Sequence, residues 1–597
     1  IRPLSDSGKR VSQSEHQHDL DDLSLFSTFR FSHGKVVQAA ISLLDDSERN
    51  RTHLKFGRLL IDNLPVEDID RDTYRIVNQM NEGFDLIEAR SERHELARLN
   101  LIAGNKSRSA AAFDTAWKYF SIGSNLLSED CWETEYELTK ELYLKRSDCA
   151  YYIGSTQEAE PIFDDLLKHV KTNLEKVEVI NLKLNLYIKN NMLDQAVEIG
   201  LQALKELFQE EIPPNEAEIN IISQMQMQDI QNELEKKKIE NLLFLPLMAD
   251  DDKKALMELI SNIIPAVHVT SKNLWIYLTL KMVENSLRFG NTDSSAYGYM
   301  NYAVILCSGL KDYDSGYAMG VLALDLNEKF NNVQLVSQLN FLFGSYINHW
   351  KVRARDSIVY LKRSYQAGIE HGDYLSAANS INFLMRSLIM VGSPLEEVEK
   401  EAKKHQDFIE QLNNEELKSV VEISKHISLL KESPPGSTDF LPSEEHSRRL
   451  ISNLAANQKP QNLQWYYLLL AQIYRQFYDH KKALTYILES DKILSDFSQF
   501  AVPEHYFYHC LIILENYPQF SEEEKKRYWD LLKVSQQKLA ELSQRCPNNF
   551  EDKSQLIAAI AAGVSGNFVQ AVALYDEAIR LAKENGFVQN EAITNEA

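Results

Sequence analysis

Only 21 glycines and 15 prolines punctuate 597 residues. Average usage would supply roughly 40 and 30. A helix interior disfavours glycine by about 1 kcal/mol and proline by about 3 kcal/mol relative to alanine, whereas tight turns and Gly-rich loops need both. The shortage therefore predicts helix along most of the chain and disfavours sheet-rich folds. From Pro65 onward the apolar residues recur at helical spacing, in segments joined by short turns. With 44% hydrophobic and 25% charged residues, the material is globular in character.

Some helix pairs carry small residues where two helices would cross, with a short turn between them. Ala559 precedes the turn Gly566-Asn567-Phe568, and Ala571, Tyr575 and Ala578 follow. Asn191-Met192-Leu193 precedes Ala196, Gly200 and Ala203. Ala471 and a turn near Asp479-His480 precede Ala483 and Ile487. Gly154 precedes Ala159, Phe163 and Leu166. This is the pattern of tetratricopeptide repeats, here without the regular spacing of roughly 34 residues. The expected fold is all-α: a tetratricopeptide-like superhelical solenoid of antiparallel helix pairs. Stacking supplies the apolar surface that no single pair can bury.

The expected organisation has six parts. Residues 1–25 form a polar linker. Residues 26–64 form a small winged-helix-like unit, since Phe29-Arg30-Phe31 alternates like a strand and Ser32 then caps a helix through Leu43-Leu44. Residues 65–432 form a first helical array, interrupted where Pro213-Pro214 ends a helix. Residues 433–440, containing Ser433-Pro434-Pro435-Gly436, form a linker. Residues 441–587 form a second array, and 588–597 a polar tail. The start at Ile1 instead of Met leads us to expect a fragment or processed product.

With 64 basic against 87 acidic residues the net charge is −23, a field that repels nucleic acid and anionic membranes. Lys236-Lys237-Lys238 is flanked by Glu233, Glu235 and Glu240 and reads as a solvated, ion-paired helix face. No apolar run reaches membrane-spanning length, so neither nucleic-acid binding nor membrane insertion is expected. Cys131, Cys149, Cys307, Cys510 and Cys546 are widely spaced and suggest reduced thiols in a cytoplasmic protein.

Chemical motifs are sparse. Ser7-Gly8-Lys9-Arg10 lacks the upstream glycine and strand of a phosphate-binding loop. His16 and His18 lie in the polar lead, and Ser32-His33 lacks the continuation of a phospho-accepting histidine. His505 and His509 stand at i, i+4, a zinc spacing, but Tyr-Phe-Tyr separates them with no general-base glutamate. Two packed helix histidines is the better reading. Carboxylates fall in helix-face runs, Glu396 with Lys400 and Glu399 with Lys403. No catalytic, metal-binding or cofactor-binding residue is assigned. The remaining candidates are aromatic: Trp275 and Tyr277, Tyr297 and Tyr299 (with Tyr302 near), and Trp465, Tyr466 and Tyr467. They could line a concave groove and anchor a partner; inter-repeat core is the competing and preferred reading.

Longer stretches resemble a known family. Phe29-Arg30-Phe31-Ser32-His33-Gly34-Lys35-Val36-Val37-Gln38-Ala39-Ala40 resembles the segment closing the ATPase module of large bacterial signalling proteins. Those join a serine/threonine kinase, a STAND-type ATPase, a helical repeat region, a GAF domain and a sensor histidine kinase. The resemblance continues through His53–Leu60, Val77–Asn81, Glu95–Asn100, Tyr119–Gly123 and Trp132–Leu138, and returns at Tyr575–Ile579 and Glu584–Phe587. Gly34 departs from the acidic residue usual there. The resemblance implies the region between ATPase core and GAF domain, with ATP and both kinase sites elsewhere in the parent. It implies a non-catalytic scaffold that relays signals to attached ATPase, kinase or GAF domains. A stand-alone peptide-binding adaptor and part of an ATP-hydrolysing switch are the alternatives.

Overall fold

The computed structural model describes residues 2–3, 29–30, 45–110, 112–153, 156–412, 415–428, 444–456, 460–494 and 500–597. Apart from a two-residue antiparallel ladder, Arg2–Pro3 with Phe29–Arg30, the regular elements of these residues are helical. The expected all-α class and its antiparallel helix pairs are therefore observed. Residues 26–28 and 31–44 of the anticipated winged-helix-like segment, the linker 433–440 and the turn at Gly154 lie outside the described residues, and the rest of that segment is helix Asp46–Asn63 after the Phe29–Arg30 strand.

One turn design joins helix to helix repeatedly. Asn191, Tyr478, Gly566 and Gly586 hold left-handed backbone, with φ of 58°, 60°, 81° and 77°. The following N–H returns to a carbonyl five residues earlier: Met192 to Tyr187, Asp479 to Tyr474, Asn567 to Ala562 and Phe587 to Ala582, each at 2.9 Å. This hydrogen bond satisfies a carbonyl that the helix end would otherwise leave bare. At Asp479 the side chain then accepts from the Lys482 N–H at 3.1 Å and starts the next helix at once. So short a connection folds the second helix back along the first. Pro213-Pro214 lie, as expected, between helices Leu193–Phe208 and Glu216–Lys237, the latter capped by Asn215.

The chain forms two compact units, Ile1–Ile199 and Gly200–Ala597. In the first, helix Arg90–Ser109 pairs with Phe113–Leu126, and Ile76, Leu96, Phe120 and Leu142 are buried in its core. Asn81 and Asn100 exchange amide hydrogen bonds of 2.8 and 2.9 Å across that core.

In the second unit the hairpins include Ser357–His371 with Tyr374–Met390, Pro460–Gln476 with His480–Lys492, and Pro547–Val564 with Phe568–Asn585. The small residues named from the sequence do sit in the packing: Ala471, Ala483, Ala559 and Ala578 are fully buried. At Gly200 a side chain would begin 2.5 Å from the Ile263 Cγ1, so only glycine permits that approach. Gly290 combines φ of +97° with a would-be Cβ 2.2 Å from the Pro246 carbonyl oxygen, a position closed to other residues. Helices on both sides of the 433–440 stretch belong to this one unit. Two π-turns, Leu306–Leu310 and Phe343–Ile347, interrupt its helices.

Candidate functional site

The aromatic candidates are placed in the core. Trp275, Tyr277, Tyr297, Tyr299, Trp465 and Tyr466 are buried; Tyr467 is half-buried and stacks on Tyr486 with centroids 6.2 Å apart. Polar tips find internal partners: the Trp275 indole N–H donates to the Asn301 Oδ1 at 3.0 Å and the Tyr299 hydroxyl to the Asn291 Oδ1 at 3.0 Å. The Arg386 guanidinium lies 5.0 Å from the Trp465 ring. Helix crossings need wide, rigid side chains to fill the gap left by small neighbours, and that use leaves six of these rings no face for a partner.

His505 and His509 are also interior, with rings 5.6 Å apart and stacked. The His505 Nδ1 lies 3.0 Å from the Ser490 hydroxyl and its Nε2 3.2 Å from the Asp491 Oδ1, a Ser–His–Asp string. Ser490 is fully enclosed and its hydroxyl donates to the Gln464 carbonyl at 3.3 Å, so no substrate reaches the oxygen. The His509 Nδ1 lies 2.9 Å from the Ser535 hydroxyl. These contacts pin helix Ala501–Asn516 to its neighbours. Burial, helped by His505, holds His509 down at about 4. Among the described residues no group of three or more His, Cys, Asp or Glu could hold a metal ion. All five cysteines are buried free thiols.

A deeper charged pair ties the same region together. The Lys553 Nζ lies 3.1 Å from the Glu504 Oε1, both side chains fully buried. Lys553 also donates to the Asn549 carbonyl at 3.1 Å and stands 4.2 Å over the Phe587 ring. Burial raises the Glu504 carboxyl pKa, and the Lys553 charge opposes it.

An accessible concavity lies beside this buried network, wholly within the second unit. Its floor comes from the two π-turn exits. Lys311 follows Leu306–Leu310 in left-handed backbone (φ 57°), and Tyr313 opens the next helix. Trp350 follows Phe343–Ile347 and donates its indole N–H to the Tyr346 carbonyl at 2.9 Å. The Tyr313 and Trp350 rings stack at 4.6 Å, 10° from parallel. The facing wall is Tyr506, from helix Ala501–Asn516, with Lys538, Glu541 and Arg545 from helix Glu522–Arg545. Arg545 donates to the Lys311 carbonyl, and its guanidinium lies 5.3 Å from the Tyr313 centroid. Burial pushes the Tyr313 phenol up to about 12 against the pull of Arg545, so at neutral pH it stays a protonated donor. The cleft is open on one side and holds a cavity of about 140 Å³.

Asn549 fastens floor to wall. Its side-chain NH₂ donates to the His349 carbonyl at 2.7 Å and the Val352 carbonyl at 2.8 Å, and its Oδ1 accepts from the Ala354 N–H at 2.9 Å. None of these cleft residues stood out in the sequence. Floor and wall are far apart along the chain, and no spacing rule links them. Two π-turns would have been the local signal, and π-turns have no sequence signature as plain as a cap or a glycine.

No protein-family model matches the chain. The hybrid signal transduction histidine kinase G of Dictyostelium discoideum is 24% identical over 470 residues, covering 70% of this chain and 13% of that protein. The chain thus spans about an eighth of that relative's length. Among solved structures, a chain of the Naa15/Naa10 complex bound to HypK-THB matches over 92% of this chain and 96% of its own, with 12% identity and a TM-score of 0.22, too loose a superposition to bear on fold or function. The chain is therefore an all-α assembly of helix pairs with weak sequence similarity to a signalling histidine kinase. That similarity agrees with the expected kinship to histidine-kinase proteins, and it carries neither a bacterial origin nor an ATPase module.

Proposed function

We propose that this chain is a non-catalytic helical-repeat scaffold that binds protein segments or neighbouring domains and relays signals to a histidine kinase, and to an ATPase where one is attached. The observation that carries this reading is the cleft. Its groups are aromatic faces, three cations and one carboxylate, a set suited to holding a ligand, with no nucleophile and base in contact. In the Ser490–His505–Asp491 string the serine and the histidine are fully buried. The similarity to a histidine kinase supports the signalling setting. Exposed apolar residues at the turn end of helix Phe568–Asn585, Phe568, Val569 and Val572, add a surface of the kind that repeat proteins offer to a further packing neighbour.

Isothermal titration of the purified chain against the separately purified kinase module of the same polypeptide tests this reading. Micromolar association is expected. Absence of binding at 100-fold higher concentration, together with unchanged kinase activity when the two are mixed, refutes it.

A further inference from the structure

We infer that the cleft between Tyr313–Trp350 and helix Glu522–Arg545 binds an acidic peptide segment carrying an aromatic or aliphatic anchor residue. This deepens the scaffold reading and rests on it. The first ground is charge. A chain of net −23 places three cations, Lys311, Lys538 and Arg545, around one concavity against a single carboxylate, Glu541. Clefts with low-dielectric walls focus their own field, so this site is locally positive on a molecule that otherwise repels anions. Glu541 lies 3.7 Å from the half-exposed Lys538 and offsets one cation. Asp314 is paired with Lys351.

The second ground is shape and chemistry. Val502 and Leu542 add apolar wall to the half-buried Tyr506. The cleft's cavity of about 140 Å³ is smaller than the roughly 300–1,000 Å³ of sites that enclose a whole small molecule, and suits a single anchor side chain. The exposed Arg545 is already held over Tyr313 and tied to the Lys311 carbonyl, so its planar fork is pre-ordered for a carboxylate. The third ground is rigidity. The floor is set by two π-turns, which recur at functional sites, and Asn549 locks it with three hydrogen bonds of 2.7–2.9 Å. A peptide fits better than a nucleotide here. The one helix N-terminus at the cleft, at Tyr313, is already capped by the Asp312 carboxylate, which accepts from the Ser315 N–H at 3.1 Å and disfavours a phosphate there, whereas separated cations flanking an apolar wall match carboxylates spaced along a chain.

The test is fluorescence anisotropy of the full chain with a fluorescein-labelled octapeptide of six glutamates, one leucine and one phenylalanine. Saturable binding is expected, weakening steeply with added salt. A glutamine-for-glutamate version of the peptide should bind at least 10-fold more weakly. The double variant Lys538→Gln, Arg545→Gln should lose about 10-fold in affinity with an unchanged circular dichroism spectrum, because each rim charge is worth a few-fold. Tyr506→Ala should weaken the peptide without changing its salt dependence. Equal binding by the glutamine peptide, or full affinity in the double variant, overturns the cleft assignment while leaving the scaffold reading intact. Displacement of the peptide by micromolar ATP overturns the peptide class. No binding of either probe, in a chain that still associates with its kinase, also removes the cleft proposal alone.

Discussion

Replacing Lys553 with methionine should be among the most damaging single substitutions in the second unit. The ammonium is fully buried, 3.1 Å from an equally buried Glu504 carboxylate. Methionine keeps most of the volume and removes the charge, leaving Glu504 enclosed without its counter-ion. Breaking a buried pair from one side costs about 3–5 kcal/mol. Glu504 can escape part of this by taking up a proton, as its raised pKa already favours, and the loss should therefore sit near 3 kcal/mol at pH 7 and shrink toward pH 5. The substitution also removes the Lys553 ammonium that donates to the Asn549 carbonyl, which adds about 1 kcal/mol. Removing both charges, K553M with E504L, should recover most of the loss, because a well-packed apolar pair replaces a buried ion pair at little net cost. The assay is urea denaturation followed by tryptophan fluorescence, read as a double-mutant cycle. A K553M cost below about 1 kcal/mol, or a double variant no better than the single, would show that Glu504 does not depend on Lys553 for its counter-charge.

Asn549→Ala should cost about 2–4 kcal/mol in the same assay, since it strands the His349 and Val352 carbonyls and the Ala354 N–H in the interior; a neutral result would show the clamp to be solvent-bridged. Gly290→Ala, with left-handed φ and a carbonyl 2.2 Å from the new methyl, should reduce thermal stability by several degrees, measured by scanning calorimetry. His509 is held near 4 against an ordinary 6.5, so below pH 6.5 the unfolded chain takes up a proton that the native state refuses. Stability should fall by up to about 3 kcal/mol as pH drops from 6.5 to about 4 and level off beneath it. His509→Gln should flatten that part of the profile, and an unchanged slope between pH 6.5 and 5 would exclude His509 as its source.

The helices and their turns were legible because they follow local rules. The turns at Asn191, Gly566 and Asp479-His480 stand out in the sequence, as do the break at Pro213-Pro214 and the small residues at the helix crossings. The aromatic candidates were visible as residues and not as positions. Trp275 and Tyr299 look alike in sequence whether they face a groove or an asparagine across the core, and only the packing decides. The His505–His509 pair was read as interior from the missing glutamate between them, and its serine partners lie on two other helices, Ser490 and Ser535. The cleft was hidden because its two sides meet only through the stacking of distant repeats. Lys538 and Arg545 resemble any solvated cations on a helix face. The three-dimensional placement of Tyr313 and Trp350 beside them gives them their meaning.

The scaffold reading is tested most directly by autophosphorylation of a polypeptide that joins this chain to a histidine kinase, measured with and without residues 65–587. Kinase activity should survive the excision while its response to the activating signal is lost or becomes constitutive. Autophosphorylation that rises and falls as before, with the helical region gone, would overturn the scaffold reading.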